Sequence, residues 1–124
     1  MSMDAAIEAH ARTTRLDDHE VVRRLVNHLG ATAVAVLAGS KDAKAPYRWM
    51  KTTTPTASAS ERLQTAHRVW QMLADGENSR TARAWFVGAN PLLGEQSPLL
   101  VLREGRCEEV LKAATAFLDG TWSA

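Results

Sequence analysis

The chain has 124 residues, of which 45% are hydrophobic and 23% charged, and its formal net charge at pH 7 is +1. These values are typical of one ordinary globular domain and exclude a disordered chain or a large multidomain enzyme. Because the net charge is so small, any contact with nucleic acid must depend on a local basic cluster.

Nothing in the sequence predicts a membrane protein or a metal-stabilised fold. No stretch approaches the roughly 20 consecutive apolar residues that span a bilayer, and the N-terminal segment lacks the apolar core of a signal peptide. We therefore expect a cytoplasmic protein with no membrane partner. Cys107 is the single cysteine, and no Cys or His pair has zinc-ligand spacing, so neither a disulfide nor a metal or other cofactor is expected.

The first third of the chain predicts an arm followed by two helices. Residues 4–14 are polar and Ala-rich without an apolar stripe, which favours a frayed helix or a mobile arm over residues 1–16. An amphipathic helix is predicted from Asp17 or Asp18, either of which is a good N-cap, to Gly30. Segment 31–38 would suit a buried strand, but its alanines and the lack of a partner strand favour a helix.

A third, short helix is predicted to begin at Asp42 or Ala45 and to run to Met50. Pro46 is acceptable only in the first turn of a helix, so it favours the start at Ala45. Residues 52–57 are β-branched and contain a proline, which predicts a connector.

Four more helices are predicted after this connector. The first begins with a capping box formed by Ser58 and Glu61 and ends at residues 75–76. The next is capped by Ser79, and the one after it starts at Ser97, which is followed by a proline. The predicted ranges of the last three helices are 79–88, 97–105 and 106–119.

Together these elements predict an all-α fold of six to seven short helices. A helix-turn-helix N-terminal half would pack with a small C-terminal helical domain. We place the helix-turn-helix-like domain at residues 17–75 and the second domain at residues 79–124, after the arm formed by residues 1–16.

The sequence offers little for catalysis, so we expect a protein that is not an enzyme. Cys107 lies near the start of the last helix, where the helix dipole could lower its pKa, but a lone helical cysteine is usually a packing residue. The four histidines are scattered along the chain and form no metal-binding motif. Neither a phosphate loop nor a dinucleotide fingerprint is present.

The chain has four tryptophans, and each of them either packs in the hydrophobic core or lies on a surface that binds a partner. Trp70 and Trp85 are expected to pack inside, whereas the position of Trp49 stays open. Trp122 follows the last helix, where it must either dock back on the protein or be offered to a partner.

A basic cluster coincides with the third predicted helix. As the recognition helix of a helix-turn-helix module, it would present Tyr47, Arg48 and Lys51 to the major groove, while Lys41 and Lys44 could contact phosphates. The alternative is a solvated basic surface with no role in DNA binding.

The second half, from Ala82 to Gly105 together with the helix 108–120, resembles the C-terminal domain of the Xre/MbcA/ParS toxin-binding antitoxins. The resemblance rests on a Trp-containing helix, the turn Asn90-Pro-Leu-Leu-Gly94, a helix started by Ser97-Pro98, a glycine and a closing amphipathic helix. Similar short segments in the front half, such as Leu37-Ala-Gly39, extend the resemblance to about residues 20–120.

The resemblance implies an antitoxin. Members of this family are typically paired with a RES-domain toxin, which consumes NAD, and their C-terminal domain occludes the toxin's active site; many also dimerise and repress their own operon. The resemblance also implies a toxin-facing surface, which is formed by Ser97, Leu100, Arg103 and, in the tail, Trp122. The proline in the third helix and the long loop 52–58 depart from the family's DNA-reading pattern.

Two other functions remain open from the sequence. One is a stand-alone DNA-binding transcriptional regulator without a toxin partner, which would show salt-sensitive, sequence-selective binding. The other is a small enzyme or ligand-binding helical domain, which a reactive Cys107 or a bound small molecule would favour.

Overall fold

The computed structural model describes residues 16–120, which are organised as seven α-helices and one short 3₁₀ turn. The predicted all-α fold of six to seven helices is confirmed for this range. The predicted arm over residues 1–16 lies outside it except for Leu16. The elements are α1 (Asp18–Leu29), α2 (Ala31–Ala38), α3 (Ala45–Trp49), α4 (Ala57–Gly76), α5 (Ser79–Val87), the 3₁₀ turn (Pro91–Leu93), α6 (Pro98–Arg103) and α7 (Cys107–Asp119).

The start of the fold follows the sequence closely. The Asp17 side chain accepts a hydrogen bond of 2.9 Å from the amide of Glu20 and so caps α1. Gly30, with φ of +88°, then links α1 to α2 within one residue. The choice of helix over strand for residues 31–38 is confirmed, as is the start of α3 at Ala45 with Pro46 in its first turn.

Two predicted helix caps are wrong by one or two residues. Thr56, which follows the buried Pro55, adopts an extended conformation, and its hydroxyl accepts a bond of 3.2 Å from the amide of Ala59. Ser58, the predicted cap of α4, therefore already lies inside the first turn. In the same way Asn78 caps α5 by accepting a bond of 2.8 Å from the amide of Thr81, so Ser79 is the first helical residue.

Helix α4 lies at the centre of the fold and contacts α1, α2, α5, α6 and α7. Its predicted apolar stripe is buried, and the members of that stripe are Leu63, Ala66, Val69, Trp70 and Leu73. The segments on either side of residues 76–78 share one hydrophobic core, in which α2 packs against α6. The N-terminal helices are thus covered by the C-terminal ones.

The C-terminal end of α2 carries a polar contact that joins these two segments. Arg103, from the end of α6, donates hydrogen bonds to the carbonyl groups of Val36 (2.9 Å) and Ser40 (3.2 Å). Arg62, from α4, donates to the carbonyl of Ala38 at 3.3 Å. The last carbonyl groups of a helix lack partners within the helix and attract positive charge, so both arginines stabilise this end of α2.

Within residues 16–120, none of the helices combines the length and the apolar content that crossing a lipid bilayer requires.

We predict that replacing Arg103 by methionine lowers the free energy of unfolding by about 1–3 kcal/mol, because the partly buried carbonyl of Ser40 loses its donor and that of Val36 keeps only the amide of Gly39, while the apolar stem is retained. Urea-induced unfolding measures this change. Arg80→Met, at an exposed position of α5, is the matched control and should change the unfolding midpoint little. Equal midpoints for the two variants would contradict the role given to Arg103.

Candidate functional site

The predicted DNA-binding residues lie on one exposed part of the molecule. Lys41 and Lys44 precede α3, Tyr47 and Arg48 lie on it and Lys51 follows it, and all five side chains are exposed. Helix α3 buries Ala45 and Pro46 against the core, which leaves its other side in solvent. The spacing of three and four residues from Lys44 to Lys51 places four of the five along that side. We call these five residues the basic surface.

One member of the basic surface is paired with an acid. A guanidinium nitrogen of Arg48 lies 2.9 Å from a carboxylate oxygen of Asp42, and the other carboxylate oxygen accepts a bond of 2.9 Å from the amide of Lys44. The bond from the Lys44 amide, followed by that from Arg48, lowers the pKa of Asp42 below its ordinary value. A phosphate would therefore compete with Asp42 for Arg48, whereas the three lysines supply the other positive charges of the surface.

The predicted toxin-binding residues have different roles in the structure. Ser97 caps α6 by accepting a bond of 3.3 Å from the amide of Leu100, as the sequence predicts. Arg103 directs its guanidinium to the carbonyl groups of α2. Leu100 has 47% of its surface exposed, between the buried Pro98 and Val101. Trp122 lies outside the described residues.

A groove beside Trp85 is a feature that the sequence reasoning missed. Asn90 is buried, and its side chain accepts a bond of 2.9 Å from the amide of Leu92, which holds the 3₁₀ turn in shape. The turn places Leu93 in the core and leaves Leu92 47% exposed. The groove lies between this turn, the end of α5 and α7. The sequence did carry one signal of this groove. Two adjacent leucines follow Asn90-Pro91, and because a tight turn rarely buries both, one of them would be expected at the surface.

The candidates for catalysis have properties that suit packing. Cys107 is 8% exposed, and its burial raises the pKa of the thiol, although a hydrogen bond with Thr65 acts in the opposite direction. An activated cysteine needs a lowered pKa, so this shift works against nucleophilic chemistry. Within residues 16–120 no three His, Cys, Asp or Glu side chains come together as a potential metal site.

Two histidines pack between α1 and α4. The ring of His28 stacks on Trp70 with centroids 4.3 Å apart and planes 14° apart. Burial, with the charges of Arg83 and Arg24, lowers the pKa of His28 below 6.5. His67 is 7% exposed, and burial is again the largest cause that lowers its pKa. Both rings therefore favour the neutral form in the folded protein.

The chain matches no protein-family model, no curated protein and no solved structure. The resemblance to the antitoxin family therefore rests on the sequence motifs alone.

We predict that the protein loses thermal stability as the pH falls from about 7.5 to about 5.5. The ordinary histidine pKa is 6.5, and below it the unfolded chain takes up protons that His28 and His67 resist in the folded state. Stability is thus lost as the pH falls from 6.5 toward their lower native pKa values.

Melting curves of the wild type and of the variant His28→Gln/His67→Gln at both pH values test this loss. The two proteins can differ in melting temperature at a given pH, so the quantity compared is the change in melting temperature between the two pH values. That change should be smaller in the variant. The same pH-dependent change in both proteins would show that other groups cause it.

Proposed function

We propose that this chain is a non-enzymatic antitoxin that binds and neutralises a partner toxin through the α6 surface and the segment after α7, and that it binds operator DNA as a second function. The suspected partner is a RES-type toxin, by the family resemblance. In that family many members are homodimers, and a homodimer is part of this proposal.

The observation that supports this function best is the distribution of exposed apolar side chains. Of the four large hydrophobic residues exposed among residues 16–120, three lie in the segment that carries the family resemblance, namely Val87, Leu92 and Leu100. Exposed apolar side chains are the groups that a protein partner would cover, so we assign these three to partner binding. The fourth, Tyr47, belongs to the basic surface.

The rigidity of α6 also supports protein binding. Ser97 caps its first turn, Pro98 and Val101 are buried, and Arg103 ties its last turn to α2. Leu100 is therefore held in a defined position before any partner arrives. A surface arranged in advance loses less conformational entropy on binding, which favours affinity.

The basic surface supports the DNA function. The basic surface has four cationic side chains, and Asp42 is the only acidic residue between positions 41 and 51. Tyr47 adds an aromatic ring and a hydroxyl group. Helix α3 is short, so the number of base edges within its reach is small. Phosphate contacts from Lys41, Lys44 and Lys51 would then supply most of the affinity.

We predict that the tagged protein, purified from its native host, retains a stoichiometric RES-type partner detectable by mass spectrometry. Leu100→Asp should weaken retention by about tenfold or more, because the partner's apolar surface would have to bury a charge. Tyr47→Asp is the matched control, since Tyr47 is 51% exposed and Leu100 47% exposed, and it should retain the partner.

Recovery of DNA without any protein partner would contradict the antitoxin function and favour the stand-alone regulator. Equal losses of partner from both variants would contradict the assignment of the interface to α6. Circular dichroism of each variant shows whether it is folded.

We predict that Lys44→Ala/Lys51→Ala weakens binding to a duplex taken from the region upstream of the protein's own gene. The slope of log affinity against log salt should become shallower by about 0.9 for each phosphate that the variant no longer neutralises. Fluorescence anisotropy at several salt concentrations measures both quantities.

The control for this prediction is Arg80→Ala/Lys112→Ala, which removes the same charge from exposed positions on α5 and α7. If both double variants show the same slope, the basic surface is a solvated face with no role in DNA binding.

A further inference from the structure

The groove beside Trp85 has the size and lining of a site for an aromatic ring. Its walls include Trp85 and Gly88 near the end of α5, Leu92 of the 3₁₀ turn, and Ala113 and Phe117 of α7, and its volume is about 160 Å³. An apolar cavity of about 150 Å³ holds a benzene-sized molecule. The groove is therefore large enough to take the ring of one aromatic side chain from its open side.

The groove is held open by the turn beside it. Asn90 accepts bonds from the amides of Leu92, through its side chain, and of Leu93, through its carbonyl, each 2.9 Å long. With the turn held in this shape, Leu93 lies in the core and Leu92 lies at the edge of the groove. Trp85 and Phe117 pack against the core from the other walls and remain partly exposed.

Helix α7, which forms one wall of the groove, ends at Gly120. Gly120 has φ of +68°, and its amide donates to the carbonyl groups of Ala116 and Phe117. In many helices that end on a left-handed glycine, the residue after the glycine contacts the helical residue about one turn back. Ala116 is at that position, and it lines a neighbouring hollow together with Leu92 and Ala113.

We propose that this groove is the docking site for the indole ring of Trp122 of the same chain. Trp122 follows Gly120 by two residues, so its Cα lies within about 7 Å of that glycine. It is also the one residue of 1–15 and 121–124 with a Trp, Tyr or Phe ring. The indole buries its apolar face against Phe117 and Leu92, while its N–H reaches solvent at the open side.

This docking goes beyond the proposed function and does not depend on it. If a partner does bind Trp122, the ring must first leave the groove, and the free energy of undocking reduces the net affinity. The groove then acts as a competitor for the tail.

Fluorine NMR of the protein labelled with 5-fluorotryptophan tests the docking. Trp122→Ala assigns the signal of Trp122 among those of Trp49, Trp70 and Trp85. In the native protein we expect the chemical shift of Trp122 to differ from its value in urea. We also expect the Trp85 signal to shift in the variant Trp122→Ala. Leu92→Glu should return the Trp122 signal to the unfolded position, while the control Leu100→Glu, at a site equally exposed at 47%, should leave it displaced.

The signal of Trp70, which is 3% exposed, reports whether each variant is folded. If Leu92→Glu disturbs that signal, Leu92→Gln replaces it as the groove variant. A Trp122 signal at the unfolded position in the native protein, or a displaced signal unchanged by a folded groove variant, overturns the proposal. A displacement that disappears on dilution also overturns it, because the ring would then occupy the groove of a second copy.

Discussion

The contact on which the rest of this fold depends is the pair of arginine side chains at the C-terminal end of α2. Gly39 turns the chain there in a left-handed conformation with φ of +84°, and the helix presents its last carbonyl groups to Arg62 and Arg103. A side chain at Gly39 would overlap the guanidinium of Arg62. Three parts of the chain, α2, α4 and α6, therefore meet at one point, where a few charge-assisted hydrogen bonds join helices that also share the hydrophobic core.

Both candidate binding surfaces are supported from this point. Arg103 ends α6, the helix that displays Leu100, and it also holds the carbonyl of Ser40, one residue before Lys41. The basic surface and the α6 surface thus share an anchor although they lie on different elements. Support of this kind reduces the conformational entropy that each surface would lose on binding a partner.

Three titratable groups of the interior contribute to packing. Burial raises the pKa of the Cys107 thiol and lowers the pKa of His28 and His67, so all three groups favour their neutral forms. Their neutral forms contribute packing, most clearly in the stacking of His28 on Trp70. The charged side chains of the basic surface around α3, in contrast, are exposed.

The sequence alone determined the all-α fold and most helix boundaries, because apolar periodicity and local signals such as Asp17, Gly30 and Ser97-Pro98 act within one or two turns. It placed two caps wrongly because Thr56 and Asn78 compete with neighbours of similar chemistry. Only the tertiary structure decided that Arg103 faces α2 rather than solvent and that Leu92 borders a groove. Long-range contacts set those orientations, and residue spacing within one helix carries no information about them.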